Sequence, residues 1–294
     1  MSKLFIFTLL GFMLILTSCK KQNSIQEVHI DVDSGNVFNE VKTDSGQVIY
    51  VAVSTMISPL TTFNLYKDLI DYISKQSGYK VEFKQRKTYF EVNELLTEKK
   101  LDFAFICTGA YLEAQINKRP IELLAVPVVN GKPYYQAYVI VNTDSEFRKI
   151  DDLKGASFAF TDPLSNTGYL YVVNYLKGIK TTPEKFFNRI IFTYAHDYSI
   201  QAVKRKLVDG ASVDGLVYEY LEKFEPKKIE GLRIINKSKE FGIPPFVVRK
   251  DLDQQIKSKL RKVLLNMHQD PEGKMLLKKI MIDKFIEVDE SIYK

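Results

Sequence analysis

Residues 158–170 read FAFTDPLSNTGYL, and this stretch decides the fold class. Its first residues are apolar and suit a buried strand that ends at Thr161, whereas the following turn is rich in hydroxyl, amide and glycine residues. A helix begins there, and its free backbone N–H groups and the positive end of its dipole favour an anion. The stretch therefore predicts a strand–loop–helix unit that seats an oxyanion. The simpler interpretation is an ordinary helix cap by Asp162 or Ser165.

Strand and helix patterns alternate on both sides of this unit, which predicts an α/β protein. The first apolar run typical of a buried strand is 48–53, and helical spacing follows it until Gly78. Extended segments near 136–142 and 244–249 interrupt the alternation. We therefore expect a two-lobe fold, in which each lobe is a mostly parallel sheet flanked by helices and the ligand lies in the cleft between the lobes.

The interruptions also set the predicted lobe boundaries. Lobe one comprises residues 47–136 plus 246–294, and lobe two comprises residues 137–245, so that the chain crosses to lobe two and returns. Within these limits the pattern favours a strand near 213–217 and a continuous helical stretch over 251–282.

The N-terminus has the features of an export signal. A lysine precedes an apolar segment, residues 4–16, which is shorter than the roughly 20 residues of a membrane-spanning helix. The segment ends in LTSC at 16–19, which resembles a bacterial lipobox and implies removal of residues 1–18 and lipidation of Cys19. The polar residues 19–46 then form a flexible tether between a membrane and the exported protein. An ordinary secretory signal is the alternative.

The composition is that of a folded, water-soluble body. The chain has 294 residues, of which 45% are hydrophobic and 27% charged, enough for two packed domains. The formal net charge of +6 includes no dense Lys/Arg block, so we expect no nucleic-acid partner; the charge serves solubility or a mild attraction for anions. The cysteines are Cys19 and Cys107, and with Cys19 lipidated no internal disulfide is expected.

Several stretches together resemble the phosphate/phosphite/phosphonate-binding proteins of ABC transporters. The ligand loop of that family is similar to SNTG at 165–168, and other similar pieces follow the family's order from about residue 48 to 290. They are SP at 58–59, GKPYYQ at 131–136, FTYAHD at 192–197, VDGASVDGLVYEY at 208–220 and IPPFVVR at 243–249. The resemblance implies a type 2 periplasmic-binding-protein fold that closes around its ligand.

Carried over residue by residue, the resemblance places Ser165, Asn166, Thr167 and Gly168 on the oxyanion. The family often has a run of hydroxyl residues here, and the amide of Asn166 departs from that pattern. An amide still donates hydrogen bonds, but with a different geometry. The resemblance therefore implies an oxyanion loop with an altered set of donors.

Five further residues are implied at the cleft. Tyr89 and Tyr135 match aromatic positions on the wall of lobe one, where their hydroxyls donate and their rings exclude water. His196 can donate to a phosphate-like group, and the adjacent Asp197 can hold its tautomer or receive a substrate amine. Asp214 suits a protonated oxyanion or an aminophosphonate. For each residue a purely structural role is the alternative.

Cys107 and Thr108 complete the candidate set. They follow a strand of lobe one, at the end of the sheet where ligands gather in α/β proteins, and Thr108 can also cap the next helix. Cys107 is either a small buried hydrophobe or a soft ligand for trivalent arsenic. The second role stays open because relatives of the family act as arsenic-oxyanion sensors paired with histidine kinases.

The expected function is capture of phosphate, phosphite or a phosphonate and its delivery to an ABC transporter permease, by a lipid-anchored monomer without cofactor or metal. The alternative is an oxyanion or arsenic sensor that signals to a membrane histidine kinase. A phosphate-ester hydrolase is disfavoured, because the sequence has no nucleophile elbow, P-loop or zinc-protease motif.

Overall fold

Two sheets organise the protein in the computed structural model, which describes residues 46–294. The predicted signal peptide, the lipidation of Cys19 and all but the last residue of the predicted tether lie outside the described residues. Within the described part of the chain, no helix is both long enough and apolar enough to cross a membrane.

Strands and helices alternate along the described chain. The strands are β1 (Val48–Val53), β2 (Lys80–Lys84), β3 (Phe103–Phe105), β4 (Ile121–Val128), β5 (Tyr134–Tyr135), β6 (Ala137–Asn142), β7 (Ser157–Phe160), β8 (Arg189–Phe192), β9 (Gly210–Asp214), β10 (Leu232–Lys237), β11 (Phe241–Gly242), β12 (Phe246–Arg249) and β13 (Lys284–Ile286). The α-helices are α1 (Pro59–Ser77), α2 (Tyr89–Thr97), α3 (Thr108–Ile116), α4 (Tyr171–Gly178), α5 (Pro183–Phe186), α6 (His196–Lys204), α7 (Gly215–Phe224), α8 (Gln254–Asn266) and α9 (Pro271–Lys279). A π-helical turn, Asn166–Leu170, leads into α4.

Lobe one is the six-stranded sheet with the helices that pack on it. Its strand order is β13-β4-β12-β3-β1-β2. Gly78 ends α1 in the left-handed conformation, as the sequence indicates. At the centre of the sheet the rings of Phe105 and Phe246 stack with their centroids 4.8 Å apart, so the returning strand β12 is part of the core of lobe one.

Lobe two is the five-stranded sheet, with the strand order β10-β6-β9-β7-β8, and its helices. Alternate residues of β6 enter two different apolar clusters: Ile140 packs on one face, and Val139 and Val141 pack on the other. Since side chains of a strand alternate between faces, helices cover both faces of this sheet. The predicted two-lobe α/β architecture is confirmed.

The prediction of mostly parallel sheets is wrong, because the strands that follow each crossing run against their neighbours. β6, the first long strand of lobe two, is antiparallel to β9 and β10. β12, the first strand after the return, is antiparallel to both β3 and β4. The parallel pairs are those built from local strand–helix–strand units, β1 with β2 and β3, and β7 with β8 and β9. A strand that arrives from the other lobe starts at the cleft and therefore runs away from it.

Two local expectations also need correction. The strand expected near 213–217 is β9, which ends at Asp214, and α7 begins at Gly215. The helical stretch expected over 251–282 is broken between α8 and α9, because Asp270 caps α9 and Pro271 occupies its first turn. β13 then pairs antiparallel with β4, at the edge of the lobe-one sheet.

The outgoing and returning crossings run side by side. β5 and β11 form a short antiparallel ribbon in which Tyr135 is opposite Phe241 and Tyr134 is opposite Gly242. The hydroxyl of Tyr293 donates to the carbonyl of Ile243 at 2.8 Å, which fixes the returning crossing to the C-terminus. This ribbon places Tyr135 between the two sheets, beside the ends of the strands that carry the candidate site.

Candidate functional site

The ends of strands from both lobes meet at one buried place. The backbone N–H of Asn166, in lobe two, points at the sulfur of Cys107, in lobe one. A Cβ on Gly109 would lie only 2.1 Å from the carbonyl oxygen of Leu164, so the two lobes touch where only glycine fits. All of the residues expected to bind ligand are buried: Tyr89, Cys107, Thr108, Tyr135, Ser165, Asn166, Thr167, Gly168, His196, Asp197 and Asp214.

The oxyanion loop is the segment Ser165–Gly168, which follows β7 and comprises the cap and the first residues of the π-helical turn. The hydroxyl of Ser165 caps this helix by accepting from the N–H of Gly168 at 2.9 Å. A Cβ on Gly168 would lie 2.5 Å from Oγ1 of Thr161 and 2.8 Å from Cε1 of His196. Glycine at this position therefore lets the loop press against the end of β7 and the imidazole. Both the cap and the predicted anion seat belong to this one turn.

The ring of His196 supports the oxyanion loop from behind. Its Nδ1 accepts the backbone N–H of Asp214 at 3.0 Å and lies 3.0 Å from Oγ1 of Thr161, whereas its Nε2 lies 3.4 Å from Oγ of Ser165. Burial lowers the pKa of His196 to about 3, so the ring is neutral at physiological pH. Since Nδ1 accepts, we infer that Nε2 carries the proton and donates to Ser165.

The consequence for Ser165 is that its hydroxyl is set up as a donor. Its oxygen already accepts from Gly168 and faces the Nε2–H of His196. Its own O–H proton points to neither of these two groups, so the hydroxyl can donate it to a third group. The sequence interpretation had His196 donating directly to the ligand, but in this structure both ring nitrogens face protein groups. His196 is therefore placed to orient the loop.

Asp197 and Asp162 connect the two lobes. Oδ1 of Asp197 accepts the backbone N–H of Ser58 at 2.8 Å, at the N-terminus of α1. Oδ2 of Asp162 accepts the backbone N–H of Tyr89 at 3.1 Å, at the N-terminus of α2. Both carboxyl groups thus lie at the N-terminal ends of helices in the other lobe. Burial raises the pKa of Asp162, and the backbone N–H groups of Leu164 and Tyr89 oppose that rise. The expectation that Asp197 holds the tautomer of His196 is wrong, because the backbone of Asp214 does so.

Four candidate residues carry buried polar atoms that have no hydrogen-bond partner. The atoms are the hydroxyls of Tyr89 and Tyr135, Nδ2 of Asn166 and Oγ1 of Thr167. An unpaired buried donor costs about 1–3 kcal/mol of stability. Their presence in one small region indicates a place prepared for a partner with several acceptors.

The two phenols lie in the same buried region, beside Cys107 and Asp214. Burial raises the pKa of Tyr89 and of Tyr135 well above the ordinary value, and the nearby Cys107 and Asp214 raise it further. Both hydroxyls therefore keep their protons and can donate. The hydroxyl of Tyr135 lies beside the side chains of Thr108 and Asn166 without pairing with either in the structure.

Asp214 brings a carboxyl group to the same region. Its Oδ1 caps α7 by accepting the N–H of Leu216 at 2.8 Å. Burial raises the pKa of Asp214 to about 7, and the hydrogen bonds from the backbone of α7 oppose that rise. The group therefore gains and loses its proton in the neutral pH range, and it can either donate a hydrogen bond or carry a negative charge.

Cys107 is a small buried side chain, which is one of its two expected roles, whereas Thr108 does not cap the next helix. Burial raises the pKa of Cys107 to about 12, so its sulfur is a neutral thiol in this structure. Thr108 is not the cap of α3, because Cys107 occupies that position without a side-chain hydrogen bond. The hydroxyl of Thr108 donates instead to the carbonyl of Gly242 at 2.7 Å. In residues 46–294 no group of three His, Cys, Asp or Glu side chains is arranged to hold a metal.

Ser54 is a candidate site residue that the sequence interpretation missed. It follows β1, and its buried Oγ also has no hydrogen-bond partner. The available signal was a hydroxyl residue directly after the apolar run of 48–53, at the strand end where the other candidates gather. We add Ser54 to the candidate set.

Comparison with known families gives one match over nearly the whole described chain. The family described as "ABC transporter, phosphonate, periplasmic substrate-binding protein" matches residues 51–293. Among solved structures, a binding protein component of an ABC phosphonate transporter from Pseudomonas aeruginosa has a TM-score of 0.79 and 27% sequence identity, and the match covers 83% of this chain and 82% of that one.

Two curated relatives match parts of the chain. The phosphonates-binding periplasmic protein of Escherichia coli K12 is 27% identical over 213 residues, which are 71% of this chain and 62% of the relative. The phosphate-import protein PhnD of Mycolicibacterium smegmatis is 34% identical over 109 residues, which are 36% of this chain and 34% of the relative. The chain thus spans less than two thirds of the length of either relative.

Replacing Tyr135 by Phe should stabilise the protein in the absence of ligand. The substitution removes a buried hydroxyl that has no partner, and we expect the free energy of unfolding to rise by about 1 kcal/mol. Urea unfolding measures the change. The matched control is Tyr293→Phe, which removes a buried hydroxyl that donates to Ile243 and should destabilise the protein by a similar amount. Equal destabilisation by both substitutions would show that the Tyr135 hydroxyl is paired.

Proposed function

The chain belongs to the family of periplasmic substrate-binding proteins of phosphonate ABC transporters, and from that premise we propose that it binds a phosphonate or a related small oxyanion at the Ser165–Gly168 loop and delivers it to a transporter permease. The observation that supports the proposal is the cluster of buried donors without partners, contributed by Tyr89, Tyr135, Asn166 and Thr167. An oxyanion offers the several acceptor atoms that these donors lack.

Neutral groups make most of the proposed contacts with the ligand. The candidate set contains no lysine or arginine. Hydroxyls, an amide and backbone N–H groups are fixed dipoles that cost less to bury than a full positive charge. At a helix N-terminus they still favour an anion, because the free N–H groups and the helix dipole act together.

Ligand capture requires the lobes to move apart, because the site is buried in this structure. The bonds from Ser58 to Asp197 and from Tyr89 to Asp162 join the two lobes. A third bond runs from the N–H of His196 to the carbonyl of Met56 at 2.9 Å. We propose that these bonds break on opening and form again on closure, with the β5–β11 ribbon as the hinge. The closed arrangement is then the form that the permease recognises.

The proposed export and membrane attachment of the protein are based on its N-terminal sequence and its family. Members of the family are periplasmic proteins, so export is expected. We propose that Cys19 carries the lipid that keeps the exported protein at a membrane and that the protein acts as a monomer.

Replacing Thr167 by Val tests the oxyanion loop. Valine has nearly the same shape but has no hydroxyl, so one donor to the ligand is lost and affinity should fall by roughly 5- to 150-fold, equivalent to about 1–3 kcal/mol. Calorimetry with methylphosphonate and inorganic phosphate measures the loss. Thr143→Val, at an exposed loop of lobe two, is the control and should bind like the wild type. Unchanged affinity in Thr167→Val would remove the loop from the site.

The titration of Asp214 should appear in the pH dependence of binding. Below pH 7 the protonated carboxyl donates to the anion, and above pH 7 the carboxylate repels it. Affinity for methylphosphonate should therefore fall as pH rises through 7, by up to about tenfold per pH unit relative to Asp214→Asn. Asparagine still caps α7 and does not ionise, so the variant reports the titration of the ligand alone. Parallel pH profiles for the two proteins would exclude this role, and a gain with pH for an aminophosphonate only would assign Asp214 to the amine.

A sensor of trivalent arsenic is a second candidate function, and the position of the Cys107 thiol beside the backbone N–H of Asn166, in the oxyanion loop, favours it. The high pKa of the thiol argues against a free thiolate there. Arsenite titration of the wild type and of Cys107→Ser separates the two functions. If arsenite binds and the variant loses only arsenite, the protein senses arsenic; if the variant binds oxyanions as the wild type does and neither binds arsenite, the transport function stands.

A further inference from the structure

A cation–π contact joins the two lobes outside the set of candidate residues. Nζ of Lys87, in the loop of lobe one between β2 and α2, lies 4.8 Å from the centroid of the Tyr194 ring, in lobe two. An ammonium over the face of a phenol ring is attracted to it. The other cation–π contacts of residues 46–294 each join two groups of the same lobe. The Lys87–Tyr194 contact is therefore the one that requires the lobes to be closed.

The loop that carries Lys87 is fixed to lobe one on both sides of the lysine. The carbonyl of Arg86 accepts a hydrogen bond from the hydroxyl of Thr55 at 2.5 Å. The hydroxyl of Thr88 accepts the N–H of Glu91 at 3.2 Å, and the Glu91 carboxylate accepts the N–H of Thr88 at 2.8 Å. The acid nearest to Lys87 in the sequence thus serves the cap of α2, and the partner of the Lys87 ammonium is the ring in lobe two.

Tyr194 presents its ring from an unusual backbone conformation. Its φ is 59°, in the left-handed region that a bulky side chain rarely adopts and that glycine adopts without strain. Its N–H donates to the carbonyl of Thr161 at 2.7 Å, and its ring packs against Phe192 with the centroids 6.4 Å apart. Strain of this kind persists only where other contacts hold the residue in place, and it concentrates at functional sites. The conformation of Tyr194 therefore indicates that its side chain has a role.

Neither side chain of the contact belongs to the oxyanion loop or to the cluster of unpaired donors. Tyr194 instead precedes the start of α6, where the N–H of His196 bonds to Met56 and Asp197 bonds to Ser58, both in lobe one. The contact thus adds to the closed arrangement without touching the ligand. It should raise the affinity for every oxyanion by the same factor, because it changes only the balance between the open and closed forms.

We infer that Lys87 and Tyr194 form a latch that holds the two lobes closed. The inference rests on the proposed function, in which the lobes open to take up and release the ligand, and it adds two positioning residues to that function. An exposed cation–π contact favours the closed form by roughly 2- to 5-fold. Release of the ligand should depend on the latch, whereas capture by the open form should not.

Hydrogen exchange of the full chain, followed by NMR, tests the latch without any ligand. The N–H groups of Ser58 and Tyr89 bond to carboxyl groups of lobe two, so they exchange when the lobes open. Their exchange should be about 2- to 5-fold faster in Lys87→Met and in Tyr194→Asn, and no faster in the double variant, because the two residues are partners in one contact. Asparagine tolerates the left-handed conformation, so Tyr194→Asn removes the ring and keeps the turn.

Two variants serve as controls for the exchange experiment. Lys87→Arg keeps a cation over the ring and should exchange like the wild type. Lys259→Met removes a cation–π contact of nearly the same length, with the ring of Tyr79 at 4.7 Å, but both groups of that contact belong to lobe one. It should leave the exchange of Ser58 and Tyr89 unchanged. Equal acceleration by Lys259→Met would mean that the whole protein has lost stability, and the inference would be wrong.

Stopped-flow measurements with methylphosphonate and inorganic phosphate test the effect of the latch on ligand release. In Lys87→Met and in Tyr194→Asn the dissociation rate should rise by about 2- to 5-fold for both ligands, with the association rate unchanged. If Lys87→Met slows association and Tyr194→Asn changes nothing, the lysine attracts anions and does not act as a latch. Wild-type exchange in both single variants, or additive effects in the double variant, would also overturn the inference. If neither ligand binds, the proposed function fails, while the exchange of Ser58 and Tyr89 still decides whether the latch exists.

Discussion

The neutral imidazole of His196 is the constraint on which the candidate site depends. It joins the end of β7 through Thr161, the end of β9 through the N–H of Asp214, and the oxyanion loop through Ser165. Its own backbone N–H bonds to Met56 in the other lobe. These bonds require an acceptor at Nδ1, and a protonated ring would place a hydrogen against the N–H of Asp214. Burial, which keeps the pKa of His196 near 3, therefore also keeps the loop in its donating arrangement.

The donors in this arrangement lower the stability of the protein without ligand, and we expect them to raise its affinity for a ligand. Tyr89, Tyr135, Asn166 and Thr167 each bury a polar atom without a partner, and each such atom destabilises the protein until a ligand supplies an acceptor. Closure by the carboxylates of Asp162 and Asp197 offsets part of that cost, because they stabilise helix ends of the other lobe. The same residues thus explain why the closed form persists in the structure and why a ligand should stabilise it further.

What the sequence predicts well is what local signals encode. The strand–loop–helix unit at 158–170 is visible because the apolar run, the hydroxyl-rich turn and the helix lie next to each other. The direction of β12 is not visible, since it depends on where a chain returning from the other lobe enters the sheet. For the same reason the sequence placed Asp197 at the site but did not predict its hydrogen bond with Ser58, which lies 139 positions away. The place of Ser54 at the site and the contact of Lys87 with Tyr194 also depend on packing between distant segments.

The position of Asp214 brings a buried carboxyl group close to the candidate donors Tyr89 and Tyr135. A buried carboxyl group is costly to ionise, and the pKa of Asp214 near 7 reflects that cost. In the protonated form it is one more donor to the oxyanion and adds no charge to the buried region. In the ionised form it repels a second anionic group and attracts a cation. A single buried acid therefore couples the protonation state of the candidate site to the charge of the groups that can lie next to it.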